Sequence, residues 1–186
     1  MSRVLIQMSM SLDGYVAGPN DSEVSRLHEW AFSEDEVGRK VLAESQNTVG
    51  ASIAGRRTYD LSIPWWGPDG PGGSARTPTF IVSHTEPKEM REGGVYTFVD
   101  SPIRALELAT AAAGKKDVDV FSASIGQQLL GAGRVDEIHV HLVPVLLGGG
   151  TRLFEKIGDD QIHLALIGVE EGSKATHLRY AVMAGK

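Results

Sequence analysis

Short apolar runs separated by polar, glycine-rich turns recur along the chain, most of them too short and too rich in β-branched residues for helices. Val4 to Met8, Thr48 to Ala54, Thr79 to Ser83, Val95 to Val99 and Asp117 to Phe121 read as strands, and Val135 to Leu147 as a longer one. Ile162 to Glu170 and Ala175 to Met183 form a hairpin around Glu171-Gly172-Ser173-Lys174. Helical signals lie between the strands. Ser33 and Glu36 have the spacing of a capping box and Val37 and Val41 lie one turn apart, which predicts a helix over 34–46. Ser101-Pro102 opens a second helix, with a hydroxyl at the cap and proline in the first turn, and Gly114 closes it. A shorter helix follows Ser122-Ala123-Ser124 and runs through Leu130, while Gly55-Arg56-Arg57-Thr58-Tyr59 reads as a strand-to-helix turn. Strands alternating with helices, then an antiparallel pair, predict an α/β fold: a mostly parallel central sheet with helices on both faces and an antiparallel C-terminal hairpin.

Composition narrows the chemistry. The chain has 186 residues, 41% of them hydrophobic, with no internal repeat or linker-like tract, so one domain over 1–186 is expected. It has no cysteine, which excludes disulfides, cysteine metal sites and a thiolate nucleophile; redox chemistry then needs a bound cofactor. A formal charge of −6 without a dense basic run argues against nucleic acid as a partner. The first apolar stretch breaks at Gln7, and the longest, Leu142 to Leu147, is far shorter than a membrane span, so a cytoplasmic protein is expected.

In a parallel sheet, ligands meet the carboxyl ends of the strands, and three turns there carry suitable groups. Gly55, Arg56, Arg57 and Thr58 offer backbone amides, guanidiniums and a hydroxyl to a phosphate monoester; the same residues also suit a plain surface turn. Ser83-His84-Thr85 is a polar turn that could edge the same groove or merely close a strand. Phe121-Ser122-Ala123-Ser124-Ile125-Gly126 brings a helix N-terminus close to the sheet edge, which favours an anion. Pro64 to Pro78 reads as a long flap in which Trp65 and Trp66 either stack on a planar ligand or cover the core. His139 and His141 project to one strand face, as two metal ligands or as packed histidines under a helix. Asp136 and Glu137 point to opposite faces and are expected to start their strand facing solvent, and Gly148-Gly149-Gly150 lacks the residues of a P-loop and reads as a flexible turn.

Several segments carry a family resemblance. Residues 135 to 154, Val-Asp-Glu-Ile-His-Val-His-Leu-Val-Pro-Val-Leu-Leu-Gly-Gly-Gly-Thr-Arg-Leu-Phe, resemble a block of the dihydrofolate-reductase-like proteins related to the reductase domain of the riboflavin-biosynthesis deaminase/reductase. Met10-Ser-Leu-Asp-Gly-Tyr-Val-Ala-Gly-Pro resembles the N-terminal loop of that family, Gly55-Arg-Arg-Thr-Tyr its helix start, Gln127-Gln128-Leu129-Leu130 a later helix and Thr176 to Val182 the closing strand. The resemblance implies a three-layer αβα fold and an NADPH-dependent reductase of a small heterocycle, pterin- or pyrimidine-like. It implies that the Asp13 to Gly18 loop covers the nicotinamide, with Ala17 and Gly18 close to it. Gly55, Arg56, Arg57 and Thr58 would hold the adenosine phosphate, and Ser83 and His84 the adenine side. Phe121, Ser122, Ala123, Ser124, Ile125 and Gly126 would lie along the pyrophosphate. Asp13 ranks first as proton donor, Trp65 and Trp66 as platforms for the substrate, and a homodimer is the implied assembly. Where the family commonly has Gly-Gly this chain has Phe121-Ser122, which keeps open a relative that binds its ligand without cofactor; a metal enzyme built on His139 and His141 is a further alternative.

Overall fold

Residue alternation along β1 (Val4–Ser11) sets the two faces of the sheet. Val4 and Ile6 enter one core layer while Leu5, Gln7 and Ser9 turn to the opposite face, and all five are buried. The computed structural model describes residues 2–85, 87, 89, 90, 92–158 and 160–183. After β1 come β2 (Tyr15–Ala17), α1 (Val24–Leu27), α2 (Glu36–Thr48), β3 (Val49–Gly55), α3 (Arg56–Trp66), β4 (Thr79–Val82) and β5 (Tyr96–Val99). The second half has α4 (Pro102–Ala113), β6 (Asp117–Val120), α5 (Ala123–Gly131), β7 (Glu137–Val143), β8 (Thr151–Arg152), β9 (Leu164–Glu171) and β10 (Thr176–Val182).

The main sheet has eight strands in the order β5-β4-β3-β6-β1-β7-β10-β9, and β2 pairs with β8 in a small ribbon above it. The strands from β5 to β7 are parallel, and the β9/β10 hairpin adds on antiparallel through β7. One helical layer is α4 and α5, whose Ala105, Ala109 and Leu129 pack with Ile6, Ile53, Val118 and Val120. The other holds α2, α3 and the turns near Trp30; there Tyr59 and Ile63 pack on Ala54 and Ile81, and Leu27 and Trp30 pack with Val143 and Ala175. This is the three-layer αβα architecture expected from the sequence.

Several boundaries differ for local reasons. The cap of α2 is Asp35, whose carboxylate accepts from the Gly38 amide at 3.0 Å, while the Ser33 hydroxyl instead donates to the Trp30 carbonyl at 2.9 Å. The strand expected over 135–147 ends at Val143, because Pro144 cannot donate to a ladder. Asp136 is exposed but Glu137 is buried, not solvent-facing, because Arg3 reaches over to pair with it at 2.7 Å and with Asp117 at 2.5 Å. The expected flap is partly helix: α3 continues through Trp66, and Arg76 ties the remaining turn down by pairing with Asp69 and the Gly93 carbonyl.

The face under α2 is unusually polar, and Asp119 is its most buried carboxyl. It is 1% exposed, stands beside Leu5 and Ser52 on the flanking strands, and leaves Oδ1 without a partner. Burial pushes its carboxyl up to about 7, against a smaller opposing effect of the Ser52 hydroxyl. Folding therefore takes up a proton relative to the unfolded chain between the ordinary carboxylate range and about pH 7, so Asp119 lowers stability as pH rises through that window. Asp119→Asn is expected to gain about 1–2 kcal/mol at pH 8 and little at pH 4, measured by urea unfolding at the two values; equal effects at both would refute the assignment.

Candidate functional site

Because β6 lies beside β3, the residues that follow them meet at the carboxyl edge. Gly55 precedes α3 and Ser122 precedes α5, and a Cβ placed on Gly55 would stand 2.8 Å from the Ser122 Oγ. Neither residue caps its helix with a side chain, whereas α2 and α4 are capped by Asp35 and Ser101. From opposite faces of the sheet, α3 and α5 thus begin at adjacent strand ends, and the leading amides and positive dipole end of each open at the Gly55–Ser122 contact. Ser122 is buried with its hydroxyl turned toward Gly55 and 3.5 Å from the Ser124 hydroxyl. The Gly126 amide already donates to the Ser122 carbonyl and its Cα lies against Ile6, which is why a side chain there would be crowded. Ile125 also points into the core, so Gly126 and the Ile125 side chain are packed; the groups left at the edge are the amides of Ala123, Ser124 and Ile125.

The arginines flank this spot, each with carboxylate partners that the sequence reading missed. Arg56 Nε donates to both oxygens of Asp60 at 2.8 and 2.9 Å, and its Nη1 reaches Ser83 Oγ and the Thr85 carbonyl. The i,i+4 spacing of Arg56 and Asp60 was the signal available for that pair. Arg57 pairs with Asp21 through Nε at 2.8 Å and Nη2 at 2.6 Å. Thr58 is half-buried in the same first turn, and His84 is exposed beside Ser83. Phe121 turns its ring to Trp66, with centroids 6.4 Å apart, so Trp66 reaches the residue after β6. Trp65 does not: at 78% exposure it points to solvent.

Across the edge, Asp13 organises the loop after β7. Its carboxylate accepts from Ser11 Oγ at 2.6 Å, from the Gly148 amide at 2.7 Å and from the Leu147 amide at 3.1 Å. The Ser11 hydroxyl first, then the two amides, hold its carboxyl down to about 2. These three hydrogen bonds fix Asp13 as the residue that registers the loop after β7 against the loop after β1. Next to it, Ala17 and Gly18 are buried against Gly150, and the β2/β8 ribbon is braced by Arg152 over the Tyr15 ring at 4.6 Å. Within the glycine triplet, Gly150 is pressed on the Ala17 and Gly18 backbone while Gly148 has open space around it.

His139 and His141 do project to one face, in a cavity of about 260 Å³ beneath α2 that Arg3, Gln7, Glu44 and Arg179 also line. His139 Nε2 meets Glu137 at 2.8 Å; His141 has Nδ1 2.8 Å from His177 Nδ1 and Nε2 3.4 Å from Gln7, with Trp30 packed at 4.2 Å. Both ring nitrogens of His141 are committed to protein partners, and burial holds its pKa well below the ordinary histidine value. Among the described residues no group of three or more His, Asp or Glu is arranged to hold a metal ion. The lining runs from Arg3 and Glu137 at the starts of β1 and β7 to His141 and His177, and includes none of Gly55, Arg56, Arg57 or Ser122.

The RibD C-terminal domain family model matches residues 2–178. The chain belongs to that family. Members of this fold among solved structures include a protein of Shewanella sp. PV-4 provisionally assigned to riboflavin biosynthesis, 23% identical, with TM-score 0.76 over 99% of this chain and 100% of that one. A pyrimidine reductase-like protein of Corynebacterium diphtheriae is 15% identical, with TM-score 0.69 over 99% and 93% of the two chains. The diaminohydroxyphosphoribosylaminopyrimidine deaminase/5-amino-6-(5-phosphoribosylamino)uracil reductase of Thermotoga maritima is 13% identical, with TM-score 0.67; the match covers 98% of this chain and 57% of that protein. The chain thus spans little more than half the length of that two-activity relative. No curated protein matches the sequence.

The closest backbone approach at this edge yields a prediction. Gly150 has φ of +118°, and a Cβ there would fall 2.0 Å from the Ala17 carbonyl oxygen, backbone against backbone. Gly150→Ala is expected to cost at least about 2 kcal/mol, read as a lowered thermal midpoint, whereas Gly148→Ala, with open space around it, costs less.

Proposed function

We propose that this protein is an NADPH-dependent reductase that passes hydride to a small planar heterocycle of the pyrimidine or pterin type. One observation carries the reading: the uncapped N-termini of α3 and α5 meet at the Gly55–Ser122 contact, with Arg56 and Arg57 in the first turn of α3. Arginines at the positive end of a helix are electrostatically unfavourable unless an anion accompanies them. Asp60 and Asp21 supply part of that charge, and a phosphate group bound over the amides would supply more. The residues fit the cofactor, because the side chain of Ser122 folds into the space that Gly55 leaves open and the Phe121 ring turns aside to Trp66. Membership of the RibD C-terminal domain family, and a relative that carries a uracil reductase activity, support the same class of reaction.

In this reading the amides of Ala123, Ser124 and Ile125 hold the pyrophosphate, and Arg56, Arg57 and Thr58 hold the adenosine phosphate. Ser83 and His84 border the adenine. Ala17 and Gly18 border the nicotinamide, in a loop that Asp13 keeps registered against Leu147 and Gly148. When bound, the nicotinamide supplies the hydride; the chain supplies grip, orientation and shelter from water. Exposed Leu12 and Leu146 lie on the two loops that Asp13 joins and give that rim the apolar surface a heterocycle needs. A homodimer is part of the proposal, supported by the edge strand β9, which exposes Leu164, Leu166, Ile167 and Val169.

The test is a titration with NADPH and with NADH, followed by binding heat or by quenching of the tryptophans. Saturable binding with NADPH preferred is expected, and Ser122→Leu, which drives a branched side chain between the two helix ends, is expected to abolish it while leaving the circular dichroism spectrum unchanged. Intact NADPH affinity in that variant would remove the pyrophosphate from this spot. Binding of neither cofactor by the unmodified protein would turn the reading to a ligand-binding relative without cofactor.

A further inference from the structure

The Asp21–Arg57 pair joins parts of the edge that are far apart in sequence. Asp21 lies in the bend that follows Ala17 and Gly18, and Arg57 in the first turn of α3. Both oxygens of Asp21 face one guanidinium, at 2.6 and 2.8 Å. The bend that delivers the carboxylate is conformationally costly: Asn20, Asp21 and Glu23, none of them glycine, sit at φ of 55°, 60° and 61°. Such a bend persists only where its surroundings hold it, and the ion pair is a contact that does so.

The two arginines are not held alike. Arg56 is fixed from its own helix by Asp60 and from the β4 side by Ser83 and Thr85, and its side chain is 19% exposed. Arg57 is 65% exposed and is held by Asp21 from the bend that follows β2. The guanidinium of this pair is open to water while the Asp21 side chain is 20% exposed, which leaves Arg57 accessible to a second anion, and a doubly charged phosphate is a better partner for a guanidinium than a carboxylate is. Asp21 is also a negative charge standing where a negative ligand would approach.

We propose that Asp21 sets phosphate affinity, and with it cofactor choice, at this edge: it is the internal counter-ion that a ribose phosphate must displace from Arg57. The inference rests on the NADPH reading and adds to it a residue that opposes binding. Displacement frees the 20–23 bend to relax, so cofactor loading and the shape of the loop beside Ala17 and Gly18 change together.

The experiment compares the unmodified protein, Asp21→Asn, Asp21→Ser and Asp21→Asn/Arg57→Ala by calorimetric titration with NADPH and NADH. Removing the competing charge is expected to tighten NADPH about two- to fivefold, the range an exposed ion pair allows, in both single variants. NADH is expected to be unchanged, and the added Arg57→Ala to erase the gain. Unchanged NADPH affinity in the single variants, with the unmodified protein binding it normally, overturns the role of Asp21 and leaves the cofactor reading standing. Weakened NADH binding overturns it differently, by showing that Asp21 accepts hydrogen bonds from the ribose hydroxyls. Absence of binding in every protein overturns both readings, since no anion site then lies behind the carboxylate.

Discussion

The insertion of β6 between β3 and β1 is the constraint on which the carboxyl edge depends. The chain lays down β3, β4 and β5 outward from the middle of the sheet, then returns to place β6 against β3 in parallel register, with Ser52 opposite Asp119 and Ile53 opposite Val120. That return brings two helix starts within contact distance, and the Phe121 amide donating to the Ile53 carbonyl at 2.8 Å carries the ladder one residue further. Had β6 paired elsewhere, Gly55 and Ser122 would be ordinary turn residues, each with its own water shell. A crevice at the point where strand order reverses is where α/β sheets generally place their ligands.

The cost of the architecture falls on the opposite helical layer. Beneath α2 the sheet presents Gln7, Ser9, Asp119, Glu137, His139 and His141 where a simpler fold would present aliphatic residues. Most are satisfied in a connected network: Ser45 donates to Gln7, the two buried imidazoles face each other, Trp30 donates to Ser9, and Arg3 bridges Asp117 and Glu137. A network of this kind favours one register of α2 over its alternatives more than it adds to stability, because buried polar groups must be paired correctly to break even. Asp35 extends the same logic outward, capping α2 and also accepting from the Ser173 amide, so that the helix and the C-terminal hairpin share one carboxylate.

How much of this was legible in the sequence depends on range. Local signals did well: Ser101-Pro102 starts a helix with the Ser101 hydroxyl accepting from the Arg104 amide, and Gly172 lies in the hairpin turn where the run of turn residues put it. Of the family motifs, the loop after β1 and Gly55-Arg-Arg-Thr-Tyr lie on the edge where the parallel strands end, while 135–154 runs the length of β7 and beyond it and Thr176 to Val182 is β10. Where two local signals competed, the sequence was ambiguous, as with Ser33 and Asp35, both suitable caps two residues apart. What stayed hidden was long-range pairing of charge. Glu137 looked like an exposed strand start because Arg3 lies 134 residues away, and Arg57 looked unopposed because Asp21 comes from a bend whose left-handed residues are not glycines. The tryptophan pair divided for a related reason: adjacent positions on a helix point about 100° apart, so only Trp66 could meet Phe121.

Gly150 pressed on the Ala17 carbonyl and Asp13 holding the Leu147 and Gly148 amides weld the loops after β1 and β7 into one block. Leu12 and Leu146 stand on that block at 62% and 68% exposure, with their backbone anchored and their side chains unencumbered. Substitution at those tips would redraw the apolar rim without disturbing the helix starts across the sheet. Such a scaffold separates a rim free to vary in sequence from a framework of strand ends that must stay as it is.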